Sequence, residues 1–431
     1  MSAPTPIAFL NVRLVDPASG YDGPGALLVL DGRIAKVARD GDLGQLPADV
    51  EIVDGRGAML APGLVDIRVT TGEPGAETKE TLKSAALAAA AGGVTSIVVQ
   101  PGTNPVIDEP SVVDFILRRA RDIELVKVYP AGAATKGAQG ARMAEIGLMA
   151  EAGCVYVTDA DHSIVDSKVL QRVLSYARGF NVLVAHRPAD PWLSVGAAAT
   201  SGEFAGRMGL PSVPAIAEKI MLERDLALVE LTGARLLVDQ LTTAAALESF
   251  RRARDKGLPV VATTSINHLT FNEVDIGDYR TFCKLDPPLR SEDDRQAVIE
   301  AVASGLIGIV VSAHAPAPAE DKRLPYDEAA PGAVGLQTLL PALLTFHHED
   351  RIPLIDLIRT VTVTPADVLG LPAGRLAEGA PADLVLCDLN APILIDADKL
   401  ISKSKNSPFD GRRLQGKVLR TLVDGRTVFA V

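Results

Sequence analysis

Six histidines and a scatter of carboxylates are the residues of this 431-residue chain whose types suit metal-assisted or acid–base chemistry. Several sit at the ends of short β-branched runs: Asp66-Ile67-Arg68-Val69-Thr70, Thr158-Asp159-Ala160-Asp161-His162, His186, Asp239-Gln240 and Ser312-Ala313-His314. If these runs are parallel strands, Asp159, Asp161, His162, His186 and Asp239 form a candidate ligand set for a divalent ion. Such an ion lowers the pKa of its bound water from about 15.7 to about 7, as hydrolysis of an amide requires. A structural reading stands beside that one. Asp161 and His162 are neighbours on a loop, where adjacent side chains rarely converge on one ion, and His186 has no partner histidine at a neighbouring run. His314 reads as a packing residue, and Asn267-His268 carries little. His347-His348 closes a helix, where the macrodipole favours it. Ser265, Ser312 and Cys154 have no base in a readable motif. Gly132 to Gly140 lacks the Lys-Ser/Thr ending of a phosphate loop. Trp192 reads as packing.

The elements that must position these groups are legible as alternation. Apolar runs recur at 64–69, 94–99, 126–131, 154–159, 181–186, 235–241, 259–264 and 307–315. Helix-patterned segments such as Glu77 to Ala91, Ser111 to Ala120 and Asp166 to Arg178 lie between them, with apolar residues three and four apart. Continuous apolar strands alternating with amphipathic helices imply a parallel sheet covered on both faces. Eight such units predict an α/β fold, a (β/α)8 TIM-type barrel over 61–365, whose reacting groups sit at strand C-termini. The alternative is an open doubly wound sheet. Residues 1–60 and 366–431 read instead as hairpins, with Asp31-Gly32 and Asp424-Gly425 as turns. They predict one small β-sandwich made jointly by both chain ends.

Composition narrows the function classes. With 47% hydrophobic and 23% charged residues the chain has ample core, and its net charge of −11 disfavours nucleic acid and anionic membrane surfaces. No apolar segment approaches the ~20 residues of a membrane span. Three cysteines and an N-terminus without a signal-peptide pattern predict a soluble, cytoplasmic protein.

The framework around the strand ends resembles the dihydroorotases and related amidohydrolases. The resemblance is carried by APGLVDIRVTTGEPGAETKE (61–80), QPGTNPVIDEP (100–110), KLDPPLRSEDDR (284–295), SAHAPAP (312–318) and SKSKNSPFDGRRLQGKVLRTLVDGR (402–426), in order along nearly the whole chain. It implies a zinc site whose six positions fall here on Arg68, Thr70, Asp159, His186, Gln240 and Ala313, the last also the position of the general base. It implies substrate-orienting positions at Gly72, Gly102 and Asp286. Two of the six metal positions at most keep a competent ligand, and zinc needs three or four. Arg68 brings a fixed positive charge to the metal's place, neither glycine offers a cation, and Asp286 would repel a substrate carboxylate.

Two readings follow. The first is a non-catalytic, dihydroorotase-like subunit of pyrimidine synthesis, a pseudoenzyme without metal or cofactor. By the same resemblance it would form homo-oligomers and assemble with aspartate carbamoyltransferase, stabilising it. The alternative is an active, metal-dependent cyclic amidohydrolase whose site is rebuilt from the five carboxylates and histidines named at the outset. A small-molecule sensor using the strand-end mouth is a third. Arg68 is expected to pair with a carboxylate, Asp66 or Asp159 first.

Overall fold

The computed structural model describes residues 4–431. Strands Leu64–Val69, Val94–Val99 and Lys127–Pro130 form one parallel sheet; Val184–His186, Leu236–Val238, Val260–Ser265 and Ile309–Val311 form another. The segment around 154–159, expected as a strand between them, is reduced to a single residue of pairing. Val157 bridges Gly132 on one side and Val184 on the other, and its amide and carbonyl bond Leu183 and Ala185 at 3.0 and 2.8 Å. At the other edge, Val69 bridges His314. Ala313, at φ 50°, breaks the extended run just before that bridge. The expected barrel strands are thus present as two parallel sheets linked by bridges.

Local chemistry explains the helices. Leu82–Ala91 starts later than the apolar pattern suggested because Thr81 caps it, with Ser84 returning the bond to the Thr81 amide. Its alanines at 85, 86 and 88–90 are buried, so strands approach closely. Gly93, at φ 79°, turns the chain into the next strand. Ser167–Gly179 begins at Asp166, whose carboxylate accepts from Lys168 and Val169 N–H.

The two chain ends share one eight-stranded mixed sheet. Its order runs Arg426–Ala430, Arg413–Val423, Leu384–Leu394, Met59–Pro62, Ile7–Asp16, Tyr21–Leu30 and Arg33–Ala38, with Glu51–Asp54 also beside Ile7–Asp16. Phe9, Leu14, Leu27 and Leu60 fill one apolar cluster, and Ala8, Ala26 and Leu28 another. The two-sheet sandwich expected is therefore one sheet with apolar residues on both faces. Lys127 Nζ ties it to the parallel body through Asp383 and Asp424, at 2.8 Å each. No helix among the described residues is long and apolar enough to cross a membrane.

Candidate functional site

At the mouth above the strand C-termini lies a cavity of about 150 Å3, lined by Arg68, Asp161, Gln240, Asn267, His268 and Asp286 among others. Arg68 is 4% exposed. Its Nε donates to Asp239 Oδ2 at 2.7 Å and its Nη2 to Asp161 Oδ1 at 2.6 Å. The Gln240 amide, turned oxygen-first, lies 2.9–3.1 Å from all three guanidinium nitrogens. Arg68 therefore does pair with carboxylates, but not with those expected. Asp66 accepts only from the Arg68 backbone amide and from Ser312, and Asp159 is spent on the Thr135 amide and hydroxyl. The guanidinium reaches across to the ends of Leu236–Val238 and the 159–163 loop. Burial would raise the Asp161 carboxyl, but the Arg68 and Arg187 charges outweigh it and hold it at about 2.

Arg187 is the mouth residue that the sequence reading missed, although it directly follows His186. Its Nη2 donates to Asp286 at 2.5 Å and its Nη1 to Asp161 at 3.3 Å. Asp286 is thereby held in an ion pair rather than standing as an isolated charge, although three aspartates still outnumber the two arginines of this cluster. Arg187 Nε, like Asn267 Oδ1, is buried without a hydrogen-bond partner among the described residues. His268 is bonded through Nδ1 to Ser265 Oγ at 2.7 Å and through Nε2 to Pro287 O at 3.0 Å. Because a carbonyl only accepts, Nε2 carries the proton and Nδ1 receives the serine hydroxyl. Burial, then the Arg290 charge, pushes this histidine down to about 4.

The five-residue ligand set is not assembled. His186 Nδ1 donates to Asp225 at 2.6 Å while its Nε2 accepts the Ile164 amide at 2.8 Å, leaving no lone pair for an ion. Asp161 and Asp239 meet, but on Arg68; His162 is exposed. No group of three or more His, Cys, Asp or Glu suited to a metal occurs among the described residues. The zinc that the family resemblance implies does not fit the residues present. His314 is wholly buried, its Nδ1 accepting the Gly335 amide and its Nε2 3.6 Å from Glu80. The Thr70 amide is bonded to His314 O, and Ala313 lines the cavity.

The substrate-orienting positions divide. A Cβ at Gly72 would sit 1.9 Å from the Ala76 carbonyl oxygen, so the turn over 72–80 requires glycine there; Gly102 faces open space. Trp192, expected to pack, is 81% exposed.

Known proteins with this architecture give the context. Residues 57–245 match a family model described as dihydro-orotase-like, and 227–428 match the amidohydrolase family. A dihydroorotase of Anaeromyxobacter dehalogenans is 40% identical over 418 residues, 96% of each chain. One of Syntrophus aciditrophicus is 37% identical over 417 residues, 97% of each. The chain belongs to the dihydroorotase family. Among solved structures, an L-hydantoinase (dihydropyrimidinase) from Arthrobacter aurescens superimposes with a TM-score of 0.88 at 24% identity, covering 99% of this chain and 96% of its own. A dihydropyrimidinase from Brevibacillus agri gives 0.84 at 21%, with 99% and 95% covered. At such identities these show the fold: an amidohydrolase, hydantoinase-like fold with β-rich ends.

These relatives overturn the expectation that this dihydroorotase-family chain is not an enzyme. Full-length relatives near 40% identity carry an enzyme's name. The expectation weighed six aligned side chains, which test one ligand set. It left out Arg187 and gave little weight to Asn267, Ser265 and His268, three polar residues that line the cavity.

Proposed function

We propose that this chain acts on a cyclic amide of the dihydroorotate class, or on its ring-opened carbamoyl form, at the mouth of a closed (β/α)8 barrel. The observation that carries the reading is the full-length identity of about 40% to proteins named dihydroorotase. One orphaned polar atom on the cavity wall supports the substrate class. Asn267 Oδ1 is an acceptor, buried and unpaired among the described residues; a cyclic amide presents an N–H, its complement. A satisfied pair is favoured because an unpaired buried group costs about 1–3 kcal/mol. Arg68 and Arg187 bring fixed positive charge to where a carbonyl oxygen would gain negative charge, the kind of preorganised field that lowers barriers.

The test is turnover of dihydroorotate, and the reverse cyclisation, by the purified full-length chain. Hydrolysis above the buffer rate that falls at least tenfold in Asn267→Leu is expected. A chain at buffer rate in both directions refutes the reading.

Assembly belongs to the same proposal: a homo-oligomer that engages aspartate carbamoyltransferase. Trp192, Val195, Ile216 and Ile220 are exposed on neighbouring segments joined by the Asp190 N to Ala217 O bond. Exposed apolar clusters of this kind mark protein contacts. Co-expression with size-exclusion chromatography and light scattering should show one co-eluting species; separate elution at micromolar concentration rejects the partner.

A further inference from the structure

The oxygens around Arg68 have the composition of a hard-cation shell: a carboxylate from Asp161, a carboxylate from Asp239 and the Gln240 amide. What fills that shell is the chain's own guanidinium, buried and with each nitrogen facing an oxygen. We propose that Arg68 takes the part of a divalent ion at this mouth, so that the native site is metal-independent, and that removing the guanidinium uncovers a site for a small cation. Three features argue for it. Arginine cannot step aside by losing its proton, since its charge is retained at any working pH. A dication entering among the same oxygens would meet that fixed charge at contact distance in a buried place. The other two ligand-type groups are engaged: His186 by Asp225 and Ile164, Asp159 by Thr135. The inference stands on this geometry whether or not the mouth turns over a cyclic amide.

The test reads metal content and thermal stability of the full-length chain, not activity. Wild-type protein, incubated with excess zinc and desalted, should retain far less than one equivalent by mass spectrometry of its metals. Its Tm should be unmoved by Zn2+, Mn2+ or EDTA. Arg68→Ala should melt lower than wild type and regain several degrees with Mn2+ or with guanidinium chloride below denaturing concentration, while wild type gains nothing from either. If Arg68→Ala cannot be recovered, Arg68→Ser, which likewise empties the guanidinium's place, is measured instead. Stoichiometric zinc in wild type overturns the proposal. So does a variant indifferent to both Mn2+ and guanidinium. Zinc retention without turnover would reject this inference and the cyclic-amide reading by separate readouts.

Discussion

Two arginine–carboxylate clusters lie near one another, built from the same chemistry and finished differently. In the first, Glu218 is 3% exposed and accepts from the Thr242 amide and hydroxyl, the Thr243 amide and hydroxyl, and Arg290. Arg290 also donates to Thr242 and Thr200. In the second, Arg68 and Arg187 hold Asp161, Asp239 and Asp286, and the Asp161 and Asp286 side chains are 55% and 44% exposed. Enclosure with full satisfaction marks a group that positions backbone. Open carboxylates beside unpaired buried atoms mark a surface left for something else to complete. The first cluster anchors the Thr242–Thr243 turn, whose next residues start the helix Ala244–Asp255; the second puts Arg68, Asp161 and Asp286 on the cavity wall.

The largest expected effect comes from breaking the enclosed cluster. Glu218→Ala leaves Arg290 charged in a dry place and strips four donors of their acceptor. Losing one partner of such a buried pair costs about 3–5 kcal/mol. Chemical denaturation should show that loss; a change under 1 kcal/mol would mean that the enclosure is only apparent and would erase the contrast.

The next effect follows from pH and sharpens the boundary between the clusters at His268, which contacts the mouth and feels Arg290. Its folded value, near 4, lies below the ordinary 6.5. The unfolded chain therefore binds more protons between those values, and the histidine's contribution is present above about 6.5 and lost as pH falls through about 4. At ~1.36 kcal/mol per unit this is about 3 kcal/mol. Asp66 opposes it: burial, against the Ser312 hydroxyl bond, raises its carboxyl to about 6, so that group stabilises as pH falls from 6 toward 3.8. The informative quantity is thus the difference between wild type and His268→Gln. Their stability curves should converge as pH is lowered from 6.5 to 4. Parallel curves would mean that this histidine titrates normally.

How much of this was written in the sequence depends on whether a residue's partner is near it in the chain. Strand runs are local, so the strands at 64–69 and 94–99 and the helix entered at Asp166 could be read directly, whereas the Thr81 cap was passed over for a start at Glu77. The departures from the family's ligand pattern at Arg68, Gln240 and Ala313 were equally plain. What replaced the ligands was not, because it depends on contacts across the fold. Glu218 and Asp225 look like the charged face of Ile216–Thr232, yet both are buried and one holds His186. Their seven-residue spacing puts them on one helical face with Leu222, which was the available signal. Arg68 bypassed Asp66, two residues away, because a strand sends alternate side chains of one face side by side; the long guanidinium instead spans the mouth.

The smallest stability effect, and the one that tests the open cluster most directly, is Asp286→Asn. Asp286 is a half-exposed partner of Arg187, and such ion pairs contribute about 0–1 kcal/mol, so the midpoint of denaturation should barely move. The mouth itself should change more. Its two arginines and three aspartates leave one net negative charge; the amide removes it and frees Arg187 Nη2 from its carboxylate. A ring bearing a carboxylate, as dihydroorotate does, should then bind several-fold tighter, whereas a neutral ring such as hydantoin should be unaffected. Calorimetric titration of both ligands separates the outcomes. If Asp286→Asn costs as much stability as Glu218→Ala, the rim is scaffold like the enclosed cluster. If neither ligand responds, Arg187 faces away from what the mouth binds.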